Sequence, residues 1–166
     1  MVTKCGEAIG INTMTLREAQ TTGFAIPANL LKQVIPELLE HGRIIRPWHG
    51  LYGRMMDPIL AELLHVPVVG GYLIETVEPG SPAEKAGLRG GAVPVQMGMQ
   101  TFLLGGDIII EIDDRKPTDM KEVLAIAAGF KIGQIVNLKY FRPGLGFQTA
   151  TVTLIERPVL PGDLPP

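Results

Sequence analysis

Glu78-Pro79-Gly80-Ser81-Pro82-Ala83-Glu84-Lys85-Ala86-Gly87-Leu88 reads as a turn, a short capped helix and a stop. Ser81 stands at the start of a Ser-Pro-Ala-Glu run. Glu84 is then the capping-box partner and Pro82 the first helical residue. Gly87 is placed where a left-handed residue ends the helix. The run Gly71 to Val77 precedes this stretch and the run Asp107 to Asp113 follows it, both apolar and strand-like. Strand, capped short helix and strand form the centre around which the other elements are placed.

The chain has 166 residues, enough for one ordinary domain and a remainder. Apolar residues make up 46% and charged residues 19%, the balance of a folded globular chain. A net charge of −2, with no run of basic residues, gives no electrostatic footprint for nucleic acid. Five Phe, three Tyr and one Trp are too few to argue a base-stacking platform. No apolar window is long enough to span a membrane. The first residues, Met1 to Glu7, lack the apolar segment of a signal peptide, so the chain as written carries no targeting signal and is expected in the cytoplasm. Cys5 is the only cysteine, which excludes an intrachain disulfide.

Residues 1–47 read as strand, loop, strand and helix. Ala8 to Thr13 and Thr22 to Ile26 are the strands, the second ended by Pro27. Leu30, Leu31, Val34, Ile35, Leu38 and Leu39 recur at helical spacing, Gly42 is the stop, and Pro36 is expected to kink the helix. A unit this small buries little surface, and its strands present open edges. It is expected to pack on the remaining chain, to self-associate or to be poorly ordered.

Arg43 to Pro47 is a short linker. Beyond it the pattern predicts a strand through His49 to Met56 and a helix over Ile59 to Leu64 capped by Asp57-Pro58. After the central stretch come a helix from Thr118 or Asp119 to Gly129 and a hairpin of Val136–Arg142 with Phe147–Ile155. Thr149 to Ile155 alternates as a half-buried strand does. Pro158 to Pro166 is a proline-rich tail.

The phrases Gly80-Ser81-Pro82-Ala83, Ala86-Gly87-Leu88 and Gly106-Asp107-Ile108-Ile109 resemble the PDZ domain of HtrA/DegP-type proteases. Gly6 to Thr13 and Gly23 to Pro27 resemble the last strands of the trypsin-like domain in the same family. The resemblance implies an α+β, mainly β fold: a partly open PDZ-like barrel capped by two helices, preceded by a strand-strand-helix remnant. It divides the chain into a remnant of the protease domain (1–47), a PDZ domain (48–157) and a tail (158–166). Family members pass from Ala-Gly-Leu to Gly-Asp-Ile in a few residues, whereas here 89–105 intervenes as a long loop. Two readings of that loop stay open, a surface loop folded on its own apolar residues or a partner-binding loop.

PDZ domains add a peptide strand to a sheet edge and capture its carboxylate on backbone amides. The resemblance implies that role for Arg46, Trp48, His49, Gly50 and Leu51, with Tyr52, Gly53 and Arg54 continuing the strand. It assigns the opposite wall to Met120, Leu124 and Ala127, leaving Val123, Ile126 and Phe130 to the core, although all six could be core. His49 stands where the family has an apolar residue. It is either turned outward without a role or makes capture pH-sensitive.

Other candidates carry little. Cys5 reads as an inert thiol, and His41 as a favourable charge at a helix C-terminus. His41, His49 and His65 lack zinc-ligand spacing, so neither metal nor cofactor is expected. Gly105-Gly106-Asp107 opens a strand and is not a phosphate loop. The family's catalytic Ser, His and Asp do not occur in this sequence, so no catalysis by that triad is expected of the chain as given. Three functions compete: a peptide-binding module taking peptide or unfolded-protein C-termini, the C-terminal part of an active HtrA-type endopeptidase of protein quality control, and a scaffold that assembles a homo-oligomer or joins a protease domain through residues 1–47. The family's intact members work mostly in the periplasm, cell envelope or organelles.

Overall fold

The computed structural model describes residues 1–15, 23–63, 65–68 and 70–158. Three expected features reach past these limits: Thr22 of the second strand, Leu64 of the helix after Asp57-Pro58, and the tail from Val159 to Pro166 lie outside the described residues. The chain divides into two compact units, Met1–Ile45 and Arg46–Pro166.

In the first unit, β1 (Gly10–Thr15) pairs antiparallel with β2 (Gly23–Pro27), with an irregularity between Asn12 and Met14. α1 (Ala28–His41) follows directly. Its start lacks a side-chain cap because Pro27 occupies that position, and its end is a left-handed Gly42 whose N–H donates to Leu38 O. Pro36 lies inside the helix, and no residue of α1 is buried.

In the second unit, β4 (Leu51–Met55) falls within the strand expected over His49 to Met56, and a short additional strand, β3 (Pro47–Trp48), precedes it. The break falls at His49-Gly50, where Gly50 has φ +77°. α2 (Pro58–Leu63) starts with the Leu60 N–H donating to Asp57 Oδ1 at 2.7 Å. β5 (Tyr72–Val77) leads into α3 (Pro82–Lys85). Ser81 Oγ accepts from the Glu84 N–H at 3.2 Å. The return arm differs from a standard capping box: Glu84 Oε2 accepts from Gly80 N–H rather than from Ser81.

The stretch 89–105 is not a loop. It forms a β-hairpin, β6 (Val93–Met97) against β7 (Gln100–Leu104), turning at Gly98 with φ +63°. β8 (Ile108–Ile112) is followed by α4 (Met120–Ala128), in which Asp119 Oδ1 accepts from the Glu122 N–H and Glu122 Oε2 accepts from the Thr118 N–H. β9 (Ile135–Arg142), β10 (Gly146–Thr153) and the short β11 (Ile155–Glu156), which pairs with β3, complete the unit.

Five strands form one antiparallel sheet in the order β10-β9-β8-β5-β4. The architecture is mainly β with a few helices, and the sheets do not close into a barrel. Alternation along β5 and β8, shifted in β8 by an irregularity between Ile109 and Glu111, sends neighbouring side chains into two cores. Ile74, Ile109 and Ile112 join Leu138, Val152, Leu154 and Ile126 on one side. Leu73 and Ile108 join Met56, Leu60 and Leu104 on the other. One ion pair ties the centre together. Asp107 is 1% exposed and accepts from Arg142 Nε and Nη2, both at 2.7 Å, and from the Arg89 N–H at 2.8 Å. Arg142 Nη2 also donates to Gly87 O, so the end of α3, the start of β8 and the end of β9 are joined through one side chain.

Candidate functional site

β4 is an outer strand of the five-stranded sheet, paired with β5 on one side. α4 lies across from it, and between the two runs an apolar cleft of about 250 Å³. Leu51 and Tyr52 line it from β4, and Met120, Val123, Leu124 and Ala127 from α4, with Phe130 just beyond. Core residues Ile109, Leu138 and Leu154 form its floor. Leu124 is 62% exposed on the rim, whereas Ile126 is buried.

The cleft ends at the turn between β3 and β4, where His49 contributes the one imidazole. The turn is held from behind. His49 O accepts from the Ala83 N–H of α3, and Gly50 O accepts from the Glu78 N–H. A Cβ on Gly50 would overlap the Ser81 Cβ and Oγ, so the close approach of this turn to the α3 cap requires glycine there. The central Gly-Ser-Pro stretch therefore supports the turn without lining the cleft.

Of the residues singled out in the sequence, the structure brings His49, Leu51, Tyr52, Met120, Leu124 and Ala127 to the cleft. Trp48 is buried, and its Nε1 donates to Glu78 Oε2 at 2.5 Å. Arg46 is exposed, and its carbonyl accepts from the Arg157 N–H. Gly53 contributes backbone packed against Leu73. Arg54 points elsewhere, ion-paired to Glu75 at 2.9 Å with its guanidinium 3.9 Å over the Phe102 ring. Val123 and Phe130, assigned to the core from their helical positions, also line the cleft. Helical phase alone could not separate these neighbouring stripes.

Burial pulls the His49 imidazole below its ordinary pKa of 6.5, and the Glu78 carboxylate acts against that shift. Burial likewise raises Tyr72, another residue lining the cleft. No lysine or arginine lines it. Among the described residues no cluster of His, Cys, Asp or Glu suits a metal ion. Ser81, the single serine of the sequence, is fully buried and engaged as a helix cap, which leaves it no access to a substrate.

An outer strand facing a helix across an apolar cleft, closed at one end by a glycine turn, is the arrangement of a PDZ domain. The PDZ-domain family profile matches residues 39–154, and the chain belongs to that family. In sequence it is similar to the HtrA/DegP serine proteases. It is 32% identical to the "Probable periplasmic serine endoprotease DegP-like" of Marinomonas sp. over 92% of this chain and 30% of that protein. It is 26% identical to the serine endoprotease DegS of Escherichia coli over 95% of this chain and 42% of that protein. The solved structure of the HtrA-type protease AlgW with a decapeptide matches 92% of this chain and 43% of its own, with a TM-score of 0.69 and 30% identity. The chain thus spans well under half the length of these relatives. No helix among the described residues is long and apolar enough to cross a membrane.

Proposed function

We propose that residues 46–158 capture an extended peptide by adding it to the outer edge of β4. Its terminal carboxylate lies at the His49-Gly50-Leu51 turn, and its last side chain lies between Leu51 and Leu124. The observation that carries this reading is the apolar cleft between an outer strand and α4, closed by a left-handed glycine. An apolar side chain buried there contributes about 1.5–3 kcal/mol, enough to set a preference among chain ends. The decapeptide in the AlgW structure supports the same class of ligand. Peptide or unfolded-protein C-termini are the ligands, and residues 1–47 are read as the closing segment of a trypsin-like domain.

A second reading, favoured by the relatives' names, is that these residues are the C-terminal part of a serine endopeptidase. In that case Ser81 is not its nucleophile, because the side chain is buried and capping a helix. The test of the first reading is binding of a fluorescent decapeptide ending in valine, with a free carboxylate or a C-terminal amide. The amide is expected to bind at least about tenfold more weakly, the loss of a charge-assisted bond. Leu124→Arg, at an exposed rim position, is expected to stay folded and to lose at least about tenfold in affinity. A folded variant that bound the free-acid peptide as well as the parent would refute the groove.

A further inference from the structure

The Leu51 N–H stands at the turn where the terminal carboxylate is placed, and it already has a partner. His49 Nδ1 accepts from it at 2.9 Å. The bond closes a small ring across Gly50, and the positive φ of that glycine bends the turn back far enough to allow it. Accepting requires an unprotonated Nδ1, so this bond goes with a neutral imidazole carrying its hydrogen on Nε2. An acceptor on the side chain therefore occupies the place of an acceptor on the ligand.

Among the residues lining the cleft, His49 is the one that can add positive charge; Arg46, three residues before it, is exposed and does not line the cleft. The cleft-lining residues that titrate are His49, Tyr52 and Tyr72. α4 contributes only apolar side chains. From α3 the bond to His49 is the backbone N–H of Ala83, while Glu84 and Lys85 are exposed. Glu78 lies behind the turn, accepting from Trp48 Nε1 at 2.5 Å and from the Tyr52 hydroxyl at 3.3 Å. An incoming carboxylate thus meets a nearby negative charge, with no lysine or arginine in the cleft to offset it.

Resting on the reading of the cleft as a peptide groove, we propose that His49 is a specificity-determining stand-in for the ligand carboxylate: a free C-terminus displaces Nδ1 from the Leu51 N–H, the imidazole takes up a proton from solvent, and neutral chain ends are selected against. Once protonated, Nδ1 can no longer accept, and the ring becomes a cation beside the ligand's anion. Burial holds the His49 imidazole below 6.5, and a bound carboxylate moves it up. Bound protein therefore carries more protons than free protein between those two pKa values. Affinity for a free carboxylate rises as pH falls through that interval and levels off below it.

The test is calorimetric titration of the whole 166-residue chain with a decapeptide ending in valine, as free acid and as amide, from about pH 8 to about pH 5.5. Affinity for the acid is expected to rise about tenfold towards the acidic end, one pKa unit of coupling. The binding enthalpy should vary with the ionisation enthalpy of the buffer. His49→Leu and His49→Gln should give flat profiles, and His49→Leu should bind the acid at the alkaline end at least as well as the parent. A flat profile in the parent, or an unchanged slope in both variants, overturns the inference and leaves the groove reading standing. Equal binding of acid and amide by parent and variants overturns the carboxylate reading and the inference with it. Nitrogen NMR of the ligand-free parent, assigned against His49→Gln, needs no folded leucine variant. It should show His49 as the Nε2–H tautomer, and an Nδ1–H tautomer overturns the inference alone.

Discussion

Gly50 carries two demands at once, a left-handed backbone and contact with the α3 cap. An L-residue in that conformation costs about 1–2 kcal/mol, and overlap with Ser81 adds about 1–3 kcal/mol of packing strain. Gly50→Ala is therefore expected to lose about 2–5 kcal/mol of stability, read from the urea midpoint, whereas Gly144→Ala, with φ +83° and open space around its Cβ, should lose only the backbone part. Its neighbour His49 makes a pH-dependent contribution of definite sign. Its folded pKa lies below the unfolded value of 6.5, so the unfolded chain binds more protons on acidification. The contribution is present above about pH 6.5 and is lost as pH falls from there towards the lower folded pKa. Urea midpoints measured between about pH 7.5 and about pH 5 should fall more steeply for the parent than for His49→Gln. Equal slopes would mean that burial is not governing this imidazole. The identity of these residues was legible in the Trp48-His49-Gly50-Leu51 run. The bond from Leu51 N–H to His49 Nδ1 was not, because it depends on the backbone bend at Gly50.

Among the elements, those with local chemistry were readable and those set by distant partners were not. α3 and α4 follow from caps within a few residues, Ser81 with Glu84 and Asp119 with Glu122. β8 follows from a largely apolar run, Ile108-Ile109-Ile110-Glu111-Ile112. The expectation of a loop over 89–105 comes from the family's short connection there, and Pro94, which cannot donate to a ladder, keeps β6 from standing out as a strand. Its place is set from outside: Glu75 Oε1 accepts from the Leu103 N–H, Leu104 enters the core with Met56 and Ile108, and Arg54 of β4 lies over Phe102. The hairpin is thereby fastened to the strand proposed to receive the peptide. A double-mutant cycle of Arg54→Met and Phe102→Leu should return a coupling of about 0.5–1 kcal/mol. Arg54→Met alone should cost about 1–2 kcal/mol, since it also leaves Glu75, a mostly buried carboxylate, without its ion partner. Additive single effects would show that the hairpin and β4 are energetically independent. The same cleft shows the limit of periodicity for the site. Met120 and Leu124 were placed on its wall, but Val123 and Phe130 reach it too, because a cleft is wider than one helical stripe.

At the scale of the whole chain, stability and apolar exposure are distributed unequally between the two units. Every buried hydrophobic side chain among the described residues belongs to Arg46–Pro166, including both cores. Met1–Ile45 presents Ile11, Phe24 and Leu39 at 54%, 51% and 83% exposure, together with Ile9, Leu30, Ile35 and Leu38. A two-stranded sheet with one helix cannot bury enough surface to offset its ordering entropy. Residues 46–158 expressed alone are therefore expected to keep one cooperative thermal transition, with a midpoint within about 4 °C of the full chain, the shift corresponding to under about 1 kcal/mol. Residues 1–45 alone should show none. An exposed apolar set of this kind is the mark of a contact surface. Sedimentation of the full chain should accordingly show concentration-dependent association that residues 46–158 lack, and Phe24→Ser with Leu39→Ser should weaken it without moving the thermal midpoint of the second unit. If the full chain sediments as a monomer over the same concentrations, the apolar set has no part in self-assembly. If residues 46–158 associate as strongly as the full chain, the contact lies in the PDZ unit, and the outer edge of β4 becomes the first place to look for it.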